Sequence, residues 1–182
     1  MLPDISDYYN VNDTVLIVLA TLMAETILIF LVRYVPSLFS KELNDWYTNF
    51  TWTAVLSDIS IIVLGLLLTR YIYTKWIKPS YGWNPLLFLG LLVVLQVIHD
   101  LLFYVGIILP IPTGHNHVID LLKKYSLEDG PKIIVGDALL MLFAAFVSFY
   151  YKSQPVHVIV TASIFAIYNL TYILYTRSPF KL

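Results

Sequence analysis

Four acids stand inside stretches that are otherwise apolar: Glu25, Asp58, Asp100 and Asp137. Gln96 and His99 lie beside Asp100, and a later apolar run holds Tyr168 and Asn169. An ionisable side chain at the centre of a membrane helix costs about 2.5–3.5 kcal/mol on insertion scales. Such acids are tolerated when they face inward and are protonated, paired, hydrated or bound to a cation. Four kinds of chemistry are then open. The group could supply hydrogen bonds between helices, a path for protons or cations, metal-dependent or acid–base work in a membrane enzyme, or a pocket for a ligand or lipid headgroup. His99 would be the titrating switch in the second or third case, being the one basic group expected at that depth. A separate set, His115, His117 and Asp120, has a spacing that could hold a divalent metal. The same residues also read as the polar start of a helix, with Gly114 making the turn and Asn116 or His117 capping it.

These side chains need elements to position them, and the composition says which. Of 182 residues, 59% are hydrophobic and 13% charged. One small core cannot hide that much apolar surface, so the chain reads as a membrane protein. It has no cysteine, which excludes thiolate chemistry and cysteine-ligated metals. The net charge of −1 supplies no basic field for nucleic acid. No phosphate-binding glycine loop, nucleophile elbow or zinc-protease helix is present, so no cofactor is predicted beyond a divalent metal at the histidine set.

A membrane crossing needs roughly 20 apolar residues in helix. Five runs meet or approach this, at about residues 14–34, 51–73, 85–109, 132–151 and 156–176. Proline and glycine punctuate the gaps, at Pro36, Pro79, Gly82, Pro85, Pro110, Pro112, Gly114, Gly130, Pro131 and Pro155. Residues 117–127 place Val118, Leu121, Leu122 and Tyr125 on one face, opposite Asp120, Lys123 and Lys124, which predicts an amphipathic helix at the interface. Residues 37–48 form a second candidate of that kind. The expected fold is all-α: one domain of five transmembrane helices plus a short interfacial helix. The acidic N-terminus lacks a basic region before the first run, so that run is expected to be a retained span. Trp46, Tyr47, Trp52, Tyr71, Tyr73, Trp76, Tyr81 and Trp83 are expected to form an interfacial aromatic belt around the second span.

Five spans put the termini on opposite sides. One side carries seven basic residues: Arg33, Lys41, Lys123, Lys124, Lys132, Arg177 and Lys181. The other carries four, at Arg70, Lys75, Lys78 and Lys152. The excess predicts a cytoplasmic C-terminus and a non-cytoplasmic N-terminus. Measured from the cytoplasmic side by helical rise, Glu25 and Asp100 fall roughly 14 Å deep, Asp58 and Asn169 roughly 10 Å and Asp137 roughly 7 Å. All would share one half of the bilayer, which predicts a common polar region. Arg33, Lys132 and Arg177 could reach inward to Asp58 or Asp137 from the rim. His99 and Asp100 are adjacent and project about 100° apart, so they are expected to address different neighbours, with the third span central in the bundle.

The block GHNHVIDLLKKYSLEDGPKIIVGDALLML resembles a pattern in small multi-pass membrane proteins of nucleocytoplasmic large DNA viruses. The matching positions are Gly114, Asn116, Ile119, Asp120, Lys124, Tyr125, Gly136 and Asp137, preceded by His99, Asp100, Phe103 and Tyr104. The resemblance covers roughly residues 95–176 and does not reach the first two spans. It implies a viral membrane protein, with the virion's internal membrane as the expected location, and it supplies no reaction. The leading expectation is a structural or assembly role rather than an enzyme, with the bilayer, a viral capsid, other membrane proteins or further copies of the chain as partners. The rival is a proton or cation conductor, or a metal-assisted membrane enzyme.

Overall fold

The computed structural model describes residues 2–176. Among them are seven helices and no strand. Helix α1 is Val11–Tyr34, α2 is Lys41–Phe50, α3 is Trp52–Tyr81, α4 is Pro85–Ile108, α5 is His117–Asp129, α6 is Pro131–Lys152 and α7 is Val156–Tyr175. Five of them, α1, α3, α4, α6 and α7, are long and apolar enough to cross a membrane.

The boundaries have local causes. Asn10 caps α1 by accepting from the Asn12 amide, and α1 ends at the residue pair before Pro36, where a helical conformation is disfavoured. Ser40 caps α2 through the Leu43 amide. Asn84 accepts from Leu86 and Leu87 to start α4, with Pro85 in the first turn. Asn116 does the same for α5 through Val118 and Ile119, and Gly130, at φ +44°, ends it. Both α3 and α4 carry a wider π turn near their C-terminal ends, at Tyr73–Ile77 and Tyr104–Ile108.

Helix α1 is the centre of the bundle and packs on α3, α6 and α7. It buries 44% of its apolar window against 22% for α4, so the expectation of a central third span is corrected. Small residues make the close approach: Ala24 of α1 joins Ala144 and Ala145 of α6 in a core completed by Ile62, Leu66, Phe88 and Leu92. A second core, at the other end of α1, holds Ile29, Val32, Trp46, Tyr47, Val55 and Leu170.

The two ends of the bundle differ. At one end the segment before α1 is strapped across α3 and the start of α4. Arg70 of α3, fully buried, donates to the Asp7 and Asn10 carbonyls and to Thr14 Oγ1. Thr74 donates to the Ser6 carbonyl at 2.6 Å, Lys78 pairs with Asp4 at 2.7 Å, Trp83 Nε1 donates to the Leu2 carbonyl at 2.9 Å, and Lys152 pairs with Asp13. At the opposite end α2 and α5 lie together, joined by Lys124 and Glu42 at 3.0 Å.

Candidate functional site

Asp58 sits in the second turn of α3, facing α2. The consecutive residues Trp46 and Tyr47 both reach it: Trp46 Nε1 and the Tyr47 hydroxyl each donate to Asp58 Oδ2 at 3.0 Å. Helix α2 can do this because its apolar face is turned into the bundle, where Tyr47 is fully buried and Trp46 nearly so. Neither belongs to an aromatic belt, which corrects that expectation. Trp76 and Tyr81 stay exposed at the far end of α3, and Tyr73 is buried, bonding the Gly82 and Asn84 backbone.

Glu25 of α1 lies behind this pair with 0% exposure. Its electrostatic neighbours are Asp58, Tyr47 and Asp137, yet neither carboxylate oxygen meets hydrogen-bond geometry with any of them. Asp137, in the second turn of α6, interacts in turn with Asp100 and Asp58. Asp100 Oδ1 accepts from Gln96 Nε2 at 2.6 Å and meets His99 Nδ1 at 3.2 Å, while its Oδ2 is buried without a partner. The His99–Asp100 contact overturns the expectation that neighbours on a helix address different partners. His99 is 39% exposed along its side chain and folds back over its own helix, stacking on Phe103 at 5.7 Å. Tyr125 of α5 is within electrostatic reach of Asp137 and Asp58. Burial, with the Asp137 charge second, pushes its phenol up to about 12. Burial likewise raises the Tyr47 phenol, helped by the charges of Glu25 and Asp58.

Four expected residues are placed elsewhere. Tyr168 is 62% exposed on the outer face of α7 and touches Tyr172 at 3.2 Å. Asn169 donates to the Phe165 carbonyl of its own helix at 2.8 Å and lines a shallow groove with Thr26 and Tyr172. The inward stripe of α7 is Ile159, Ser163, Ala166, Leu170 and Leu174, and positions 168 and 169 fall off it. Arg33 does not reach Asp58 or Asp137. It donates to Asn44 at 2.6 Å, Thr48 at 2.7 Å and the Leu174 carbonyl at 3.2 Å, clamping α1 to α2 and α7. Lys132 pairs with Asp129 at 3.7 Å, and Arg177 lies outside the described residues.

The metal expectation fares differently from the helix cap that competed with it. Asp120 accepts the Gly114 amide on both carboxylate oxygens, at 3.0 and 3.1 Å, and so closes the turn that precedes α5. His115 and His117 are exposed. Among the described residues no three His, Asp or Glu side chains are gathered to hold a metal. Gly114 makes the turn, at φ +89°, and Asn116 is the cap.

The residues that sequence reasoning missed are Trp46, Tyr47 and Tyr125. Their signal was present: an amphipathic helix ending one turn before a span with an acid in its second turn. An aromatic at that position serves equally as an interfacial anchor or as a buried donor, because indole and phenol join an apolar body to one polar tip.

Five apolar spans in an all-α bundle define a multi-pass integral membrane protein. No family model, curated protein or solved structure matches the chain.

Proposed function

We propose that this protein has a structural or assembly role in its membrane, and that the end formed by α2 and α5 is its docking face. The observation that carries the reading is the clamp on Asp58. An interfacial helix is fixed to the bundle by two neutral donors on one half-buried acid, which holds a polar platform rigidly over the spans. Two surface grooves, one lined by Asn49, Phe50, His117 and Leu121 and the other between α1 and α7, do not reach the acids. A conducting path would need water at those groups. The excess of Lys and Arg supports placing the platform in the cytoplasm. The resemblance across residues 95–176 supports a viral setting, with a capsid or another membrane protein as the docked partner.

The test compares wild type with Tyr47→Phe and Asp58→Asn in liposomes and in detergent. Both substitutions are expected to lower the melting temperature, and the wild type is expected to carry no proton or cation flux. A flux abolished by Asp58→Asn at unchanged melting temperature would reverse the assignment. The second reading, conduction, is favoured by one observation: Glu25 holds two unpartnered oxygens beside a second acid.

A further inference from the structure

We infer that Glu25 and Asp58 form a proton-binding site, in which one proton is held on Glu25 and shared with the Asp58 carboxylate. The two hydrogen bonds on Asp58 both end on Oδ2, so Oδ1 has no donor from Trp46 or Tyr47. Glu25 is fully buried with Asp58 as its first electrostatic neighbour, and neither of its oxygens has a partner. An ionised carboxylate so placed would lack every compensation that a buried charge requires. A neutral Glu25 instead donates its O–H to Asp58, and the pair keeps one negative charge, matched to the two donors already on Asp58. Proton and charge balance: two carboxyl groups hold one proton between them.

The surroundings favour a proton over a metal cation. The titratable groups that face Glu25 are Asp58 of α3, Tyr47 of α2 and Asp137 of α6. Beyond them, Tyr125 of α5 faces Asp137 and Asp58, and Asp100 of α4, with His99 beside it, faces Asp137. Arg33, two turns along α1, has its guanidinium engaged by Asn44, Thr48 and Leu174. A metal ion takes about six oxygen ligands when it is a hard cation. The groups facing Glu25 are two further acids and one phenol, Asp58 Oδ2 is already taken by two donors, and among the described residues no metal-holding group is formed. A proton needs only the two acids. The site exists on either functional reading.

Infrared spectroscopy of the intact protein in lipid tests this without a mutation. The chain has three glutamates, Glu25, Glu42 and Glu128, and the last two both pair with Lys124. A protonated glutamic acid must therefore be Glu25. At neutral pH a protonated-carboxyl C=O band is expected that moves on deuteration and on carboxyl-¹³C labelling of glutamate. In Asp58→Asn it is expected to shift to higher frequency as the charged acceptor is lost; if that variant does not fold, Tyr47→Phe should shift it lower. Absence of the band overturns the site. So does a band that follows labelled aspartate instead of glutamate, a band unmoved by the substitution, or a sodium-dependent rise in melting temperature in place of the band. Flux and melting of the same protein do not enter these outcomes, so failure here is separable from failure of the assembly role.

Discussion

At the scale of single residues, the bundle spends its few charges on fixing segments rather than on pairing across its centre. Arg70 shows how. Its planar fork reaches two carbonyls and one hydroxyl at once, which a lysine ammonium on a flexible stem cannot hold together. Arg70→Lys is expected to cost about 1.5–3 kcal/mol, the scale of a lost charged hydrogen bond, read by reversible unfolding in mixed micelles. Asp4 makes a prediction in pH. Burial raises its acid, but the donors of Lys78 and Ser6 outweigh burial and hold it below its ordinary 3.8. A depressed acid contributes stability above its unfolded value, and that contribution is lost as pH falls through the folded value. The N-terminal strap is therefore expected to stay closed at neutral pH and to loosen only at acidity below the usual carboxylate range. Trp83 fluorescence should report the release, since its indole is bonded to Leu2, and Asp4→Asn should remove the transition.

At the scale of elements, α2 carries more consequence than its ten residues would lead one to expect. It supplies both donors to Asp58, takes the guanidinium of Arg33 and pairs with α5 through Glu42. Its passage into α3 turns at Thr51, which sits at φ +45°, the one non-glycine residue at positive φ among those described. A side chain is strained there. Thr51→Gly is expected to raise stability by about 1 kcal/mol, seen as a higher melting temperature, because relief of strain exceeds the added freedom of the unfolded glycine. A lower melting temperature in that variant would mean that the turn is held by the threonine side chain rather than in spite of it.

At the scale of the whole molecule, the ends of the bundle separate cleanly. The N-terminal strap, the α3–α4 turn and the α6–α7 turn meet at one end, while α2 and α5 meet at the other. That separation makes the orientation measurable. The chain has no cysteine, so single reporters can be placed at exposed Thr113 and Ser153, on opposite ends. On intact cells an impermeant maleimide is expected to label Ser153→Cys and spare Thr113→Cys. The reverse pattern would turn the protein over and move the proposed docking face outside.

The five spans and the capped amphipathic helix at α5 were legible because each depends on local chemistry. A run of about 20 apolar residues has to be helix in lipid, and Asn116 and Gly130 mark the ends of α5 by what their own backbones and side chains allow. Which helix stands at the centre was not legible. Helices α1 and α3 are apolar on almost every side, so their sequences carry no stripe to show which face meets protein and which meets lipid. The same ambiguity hid Trp46 and Tyr47 among the belt aromatics and put Tyr168 with the inward residues. Only the tertiary packing decides which partner lies opposite a given side chain, because in a membrane the apolar surroundings of lipid and of neighbouring helices are chemically alike.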